Sequence, residues 1–163
     1  MNTLATAVRI ADLTDKHDAE AVLEMTRRYA RDAMGGGQDL DPQVSASLIE
    51  EMRSHSGIVC FLAYDKGTPV GIANCIVSFS TFRARPILNV HDLYVSEEHR
   101  GKGVSRALLE KVESYARDRN FSAITLEVLE INERARKVYE AFGFSGAMPE
   151  PGDSKYFCRK VLD

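Results

Sequence analysis

Asn89-Val90-His91-Asp92-Leu93-Tyr94-Val95-Ser96-Glu97-Glu98-His99-Arg100-Gly101-Lys102-Gly103-Val104-Ser105 is the stretch on which the fold turns. Its first half reads as a strand, rich in β-branched and aromatic residues. Asn89, His91, Leu93 and Val95 alternate with Val90, Asp92 and Tyr94. A polar turn follows from Ser96 to His99, then a basic glycine loop, Arg100 to Gly103. From Val104 the apolar period lengthens to about 3.6 residues. Val104, Leu108, Val112 and Tyr115 then share one face of a helix running to about Arg119.

A strand that feeds a glycine loop and then a helix is suited to holding an anion. Gly101 and Gly103 let the backbone take conformations closed to other residues and approach a ligand closely. The first turn of the helix leaves N–H groups without partners, and the helix dipole favours negative charge there. Arg100 and Lys102 add charge. The spacing is not that of the dinucleotide fingerprint, since no third glycine follows, and G-x-x-x-x-G-K-[ST] is absent.

On the N-terminal side, residues 80–88 form a loop that contains Arg83, Arg85 and Pro86. It is preceded by a hairpin: an apolar strand from Ile58 to Tyr64, a turn at Asp65-Lys66-Gly67, and a returning strand from Val70 to Phe79. Earlier still, Asp41 and Pro42 open a helix to about His55 that buries Val44, Leu48 and Met52. Thr14 or Asp15 caps a helix through about Met34, with Val22, Met25, Tyr29 and Ala33 inward. The first strand is Val8 to Ala11. Towards the C-terminus, Ile124, Leu126 and Val128 alternate in a strand. Ala135, Val138, Tyr139 and Phe142 mark a last helix, which Gly143 stops. Tyr156 to Leu162 is a final strand. The order β-α-α-β-β-β-α-β-α-β predicts a mixed α/β (α+β) fold, one sheet with helices on both faces, in a single domain over residues 1–163.

Composition sets limits on function. At 163 residues the chain has room for a real core. Its net charge of −3 and pI near 5.8 argue against a dedicated nucleic-acid binder and suit a cationic substrate. No apolar run approaches membrane-helix length. Met1 to Ala11 shows no leader pattern. Cys60, Cys75 and Cys158 fit no zinc spacing and read as reduced thiols. The expectation is a cytoplasmic protein that needs no metal.

The loop Arg100-Gly101-Lys102-Gly103-Val104-Ser105 resembles the R/Q-x-x-G-x-G/A pyrophosphate motif of the GNAT (general-control-type N-acetyltransferase) superfamily. Ser105 departs from the usual glycine or alanine, but serine is small and can donate to a phosphate oxygen. Asn132-Glu133-Arg134-Ala135-Arg136-Lys137-Val138-Tyr139-Glu140-Ala141-Phe142-Gly143-Phe144 is similar to the family's second motif. The order of elements is also the family's, over nearly the whole chain.

The resemblance implies direct acetyl transfer from acetyl-CoA to an amine, with no covalent enzyme intermediate. It implies that the backbone of Leu93, Tyr94 and Val95 pairs with the pantetheine arm, with the Val95 N–H donating to the thioester carbonyl. Arg100, Gly101, Lys102, Gly103, Val104 and Ser105 would hold the pyrophosphate. Asn132 would bond the pantetheine arm or position the loop before the last helix, and Tyr139 would protonate the leaving thiolate. A phenol with an ordinary pKa near ~10 remains a donor at neutral pH. The competing reading of Tyr139 is a core tyrosine.

His91 stands where some family members place a base, and imidazole titrates near neutrality. A structural histidine is the other reading. Asp92 is on the opposite strand face unless a bulge intervenes, as a base, an anionic contact for a cationic acceptor, or a structural carboxylate. Gly35 to Asp41 reads either as a solvated loop or as an acidic flap over the acceptor. The acceptor is a small-molecule amine or a peptide amine, and a homodimer is possible. A non-catalytic acyl-CoA-binding sensor is the alternative. Tyr139 together with His91 favours the enzyme, since a mere binder needs no proton donor at sulfur.

Overall fold

The computed structural model describes residues 6–147 and 155–162. The stretch Met1–Ala5, part of the leader-free reading, lies outside them. Seven strands form one sheet: β1 (Ala7–Ile10), β2 (Ile58–Asp65), β3 (Thr68–Ser80), β4 (Arg85–Val95), β5 (Ala123–Leu129), β6 (Ser145–Ala147) and β7 (Lys155–Val161). Their order is β1-β2-β3-β4-β5-β7-β6, and every pair is antiparallel except β4 and β5. The helices are α1 (Lys16–Arg31), α2 (Pro42–Ser54), α3 (Val104–Asp118) and α4 (Glu133–Ala141). The α/β architecture is the expected one, with the short strand β6 added before the last strand.

Two apolar layers sandwich the sheet. Val22, Met25 and Met52 of α1 and α2 pack on Leu62 and Ile72. Val104, Leu108 and Val112 of α3 pack on Phe61, Ala73, Leu88 and Val90, in a cluster that also takes in Tyr139 of α4. Ile124, Leu126 and Val128 are buried as expected, but so are Ala123 and Thr125, so β5 is covered on both faces. Gly71 brings α3 close: a Cβ there would lie 3.1 Å from Val104 Cγ1 and 3.2 Å from Leu108 Cδ1. The N-terminal end of α3 is thereby pressed against the sheet beside the end of β4.

Local chemistry sets the element ends. The Asp15 side chain accepts from the Asp18 N–H to cap α1, and the Asp41 side chain accepts from the Gln43 N–H to cap α2 behind Pro42. Helix α1 stops at Arg31 rather than near Met34, so Ala33 lies past its end and is exposed. Asp32 takes extended backbone there, and its N–H bonds the Arg28 and Tyr29 carbonyls. Val44 is 46% exposed, against the expected burial, while Met52 is covered. The loop expected over residues 80–88 shortens to 81–84, because β4 already begins at Arg85 and pairs with Ser80.

The main departure from the sequence pattern lies at His91. Asn74 pairs with Asp92, but Cys75 pairs with Val90, which leaves His91 as the extra residue of a β-bulge. The bulge exchanges the two faces. Val90 shares the α3-side layer with Leu93 and Val95, whereas Tyr94 packs on the α1 side. Strict alternation through residues 89–95 therefore fails. No helix among the described residues is long and apolar enough to cross a membrane.

Candidate active site

The parallel pairing of β4 with β5 ends at Val90 with Leu126. Beyond it β4 stays with β3, from Asp92 opposite Asn74 to Val95 opposite Gly71, while β5 continues along β7 to Leu129. The two central strands splay apart. A cleft of about 790 Å³ fills the gap, bounded by the end of β4, the start of α3, the face of α4 and the turn after α1.

The ladder shows which amides open into this gap. The Ser96 N–H donates to the Val70 carbonyl at 2.9 Å, and amides alternate sides along an antiparallel strand. Tyr94 therefore bonds towards β3. Leu93 and Val95 point their N–H and C=O groups away from it, towards the cleft. The Val95 carbonyl accepts from Arg100 Nε at 3.0 Å.

One end of the cleft is formed by the glycine loop and the first turn of α3. Gly101 and Gly103 have φ of +73° and +85°, and a Cβ at either position would meet no heavy atom within 4 Å. Gly103 caps α3 without any side-chain hydrogen bond, so no side chain blocks the first-turn amides. Arg100, Gly101, Gly103, Val104 and Ser105 line the cleft, as does Arg106; Lys102 is exposed and does not. The Arg100 guanidinium is already engaged. Its Nη2 pairs with Asp32, and its carbon lies 5.7 Å from the Tyr94 ring centre. The Arg100 side chain is thus committed to partners within the protein.

Tyr139 lies on the inward face of α4, 7% exposed, edge-on to Phe144 at 5.8 Å. It lines the cleft, and among the described residues its hydroxyl makes no hydrogen bond. Burial, helped by Tyr29 and Cys158, pushes the phenol well above its ordinary pKa. Asn132 caps α4, its side chain accepting from the Ala135 N–H at 3.1 Å. That is the geometry of a residue positioning the loop before α4, and it also lines the cleft.

At the other end lie His91, Asp92, Tyr29, Tyr94, Met34, Gly35 and Gly36. His91 is exposed on its bulge. Asp92 accepts from Asn74 Nδ2 at 3.0 Å, and among the described residues no lysine or arginine pairs with it. Burial, then the charges of Asp92 and Asp32, raise the Tyr29 pKa. The acidic residues of the expected flap, Asp39 and Asp41, do not line the cleft. Asp39 is held by Arg27 at 2.7 Å and Arg31 at 3.0 Å, and Asp41 caps α2.

Tyr29, Arg106 and Arg134 of the cleft lining were missed from sequence. The bulge hid Tyr29, since only once Asp92 has turned towards α1 do the two meet. The cysteines are all free and buried, and burial raises the Cys60 thiol to about 12. Asp15, His17 and Asp18 form a ligand-type cluster among the described residues, but they stand at the start of α1, outside the cleft. The oxygens of Asp18 there are engaged by Arg9, Tyr64 and the Asp12 N–H.

The chain is also similar to known proteins. Thialysine N-epsilon-acetyltransferase of Bos taurus is 38% identical over 74 residues, covering 45% of this chain and 43% of that one. An uncharacterized N-acetyltransferase of Archaeoglobus fulgidus is 36% identical over 89 residues, covering 54% and 59%. The chain thus spans about half the length of these curated relatives. Among solved structures, a GNAT-family acetyltransferase from Streptococcus pneumoniae superposes with a TM-score of 0.71 at 20% identity, covering 96% of this chain and 99% of the other. Ribosomal-protein-alanine N-acetyltransferase from Brucella melitensis also superposes at 0.71, with 20% identity and 90% and 96% coverage. The sequence profile of the Acetyltransferase (GNAT) family matches residues 20–144, and the chain belongs to that family.

Proposed function

We propose that the protein is an acetyl-CoA-dependent N-acetyltransferase that acts directly on a primary amine, with a small cationic acceptor. The observation that carries this reading is the splay of β4 from β5. It opens the amides of Leu93 and Val95 into a cleft whose far end is the start of α3, where no side chain caps the helix. A polar, extended arm ending in phosphates fits such a groove. The open space beside Gly101 and Gly103 leaves room for phosphate oxygens against backbone N–H groups.

Acetyl-CoA would supply the activated acetyl thioester. The chain's own groups then have distinct tasks. The amides of Gly101 to Arg106 bind negative charge, with Ser105 adding a hydroxyl. Leu93 and Val95 orient an extended ligand by main-chain bonds, and the Val95 N–H polarises a carbonyl oxygen placed against it. The Tyr139 hydroxyl donates towards sulfur as charge grows there. Asn132 holds the start of α4, and with it Tyr139.

At the acceptor end, which Tyr29 and Tyr94 also line, Asp92 is a half-buried carboxylate without a basic partner among the described residues. An ammonium group satisfies it. His91, or water ordered by His91 and Asp92, takes the proton that the amine must lose. The relatives' names include a thialysine side-chain amine and a ribosomal-protein alanine, so they leave the acceptor's identity open.

The test is free-thiol release from acetyl-CoA with a panel of polyamines, aminoglycosides, amino acids and short peptides. Amine-dependent release, fastest with cationic acceptors, is expected. Tight binding of acetyl-CoA with no release across the panel contradicts the catalytic reading.

A further inference from the structure

Asp32 stands where three parts of the cleft meet. Its N–H closes the last turn of α1 through the Arg28 and Tyr29 carbonyls. Its own carbonyl receives the N–H groups of Gly35 at 2.9 Å and Gly37 at 3.0 Å, and its Oδ1 receives that of Met34 at 2.9 Å. The turn Met34–Gly37 is therefore built on Asp32, and Met34, Gly35 and Gly36 line the acceptor end. The remaining oxygen, Oδ2, pairs with Arg100, 68 residues away at the head of the glycine loop.

Arg100 has little freedom to do anything else. Nε holds the Val95 carbonyl at 3.0 Å, and the guanidinium sits over the Tyr94 ring. The two side chains are only 21% and 19% exposed, so this pair is screened less than a surface pair. The chain of contacts runs from the acceptor turn to Asp32, to Arg100, and on to both the anion loop and the strand that faces the reacting carbonyl.

We propose that Asp32 is a positioning residue whose ion pair with Arg100 couples the two ends of the cleft: coenzyme A seated on the glycine loop stiffens the turn that faces the amine. This rests on reading the cleft as an acyl-CoA site. It gives Arg100 the role of a strut rather than a phosphate ligand. A ligand that restrains the loop restrains Arg100, which holds Asp32, on which the Met34–Gly37 turn is built. Because coupling between sites is reciprocal, an amine that orders the turn also tightens coenzyme A binding.

The test uses the full chain with coenzyme A as the probe. Calorimetry gives its affinity for wild type, Asp32→Asn and Arg100→Lys. Amide hydrogen exchange of residues 33–38 is then followed with and without saturating coenzyme A. In wild type the ligand should slow exchange of the turn about fivefold or more. Asp32→Asn keeps an oxygen for the Met34 N–H but loses the charge that holds Arg100. It should exchange like wild type when free, bind coenzyme A at least as tightly, and show no slowing. Arg100→Lys should also lose the slowing, because an ammonium cannot span the Val95 carbonyl and Asp32 together. It carries the same test if Asp32→Asn does not fold.

Equal slowing in all three proteins overturns the proposal. So does faster exchange on binding in wild type, which would mean that Arg100 leaves Asp32 for a phosphate. So does lost coenzyme A affinity in Asp32→Asn, the sign of a general structural role. Failure of wild type to bind at all contradicts the acyl-CoA reading itself and is seen by calorimetry first. Binding without an effect on the turn contradicts the coupling alone.

Discussion

Replacing Tyr139 by phenylalanine removes one oxygen and little else, and the structure fixes what should follow. The ring is 7% exposed and packs edge-on against Phe144, contacts that phenylalanine keeps. The hydroxyl has no hydrogen-bond partner among the described residues, so its loss strands no buried group. Stability should therefore change by less than about 1 kcal/mol. The rate effect has a ceiling set by acidity. An ordinary phenol near ~10 is already a weaker acid than an ordinary thiol near ~8.5, and each unit is about 1.4 kcal/mol. Burial raises Tyr139 further. Full proton transfer to sulfur is thus uphill by about 2 kcal/mol or more. The hydroxyl must act mainly by donating a hydrogen bond to the charge developing on sulfur.

That places the expected loss in kcat at about 100-fold, the lower end for a positioned acid, or about 2.7 kcal/mol of barrier. The assay is thiol release at saturating acetyl-CoA and amine, with calorimetry to show that acetyl-CoA affinity is kept. The raised phenol also predicts no fall in kcat from loss of this proton below about pH 10. A mutant with full activity makes Tyr139 a core residue. A mutant that loses acetyl-CoA affinity and kcat together makes it part of the binding wall.

Gly103→Val sets a branched side chain at φ +85°, facing open cleft. It should cost about 1–2 kcal/mol of stability and abolish the thermal shift given by acetyl-CoA; retained binding would place the phosphates elsewhere. His91→Gln should remove the rise of kcat/KM with pH, whereas Asp92→Asn should raise the KM of a cationic amine and leave the pH profile in place. An unchanged rate and profile in the first, or an unchanged KM in the second, rejects the role concerned. Burial pushes the Asp18 carboxyl up, but the Arg9 pair, the Asp12 N–H and the Tyr64 hydroxyl outweigh it and hold its pKa below the ordinary value. A depressed carboxylate stabilises the fold above its unfolded pKa, near ~3.9, and the contribution fades as pH falls through the lower folded value. Asp18→Ala should cost about 2 kcal/mol at neutral pH, roughly 4–8 °C in Tm, with a smaller difference from wild type in acid. A constant difference down to the acid transition argues against the ionised pair.

Much of this architecture is legible in sequence because its signals are local. Asp15, Asp41 with Pro42, and Gly143 mark helix ends through capping chemistry that acts within a few residues. Lys66 and Gly67, with φ of 48° and 83°, make the two-residue turn that joins β2 to β3. The glycine loop and the face of α4 that carries Tyr139 are equally readable. What periodicity could not show is the bulge at His91, where a one-residue insertion turns Asp92 and Tyr94 towards α1 and brings Tyr29 beside them. Nor could it show the engagement of Arg100, whose partner Asp32 lies on another element. The acidic stretch Asp39 to Asp41 reads as an anionic flap until Arg27, Arg31 and the Gln43 amide are seen to claim it. Short β6 carries too few residues for a pattern, and exposed Val44 shows that an apolar residue in the first turn of α2 need not reach the core.

If the gap between β4 and β5 holds an acyl-CoA with its phosphates at the start of α3, the protein's own amides must report it. Amide resonances followed while coenzyme A is titrated into the isotopically labelled protein test this residue by residue. Saturable shifts are expected, largest at Gly101, Gly103, Val104, Ser105 and Arg106, with the Leu93 and Val95 amides moving at the same midpoint and Tyr94 less affected. Shifts confined to another face of the sheet, or none at millimolar coenzyme A, contradict that placement.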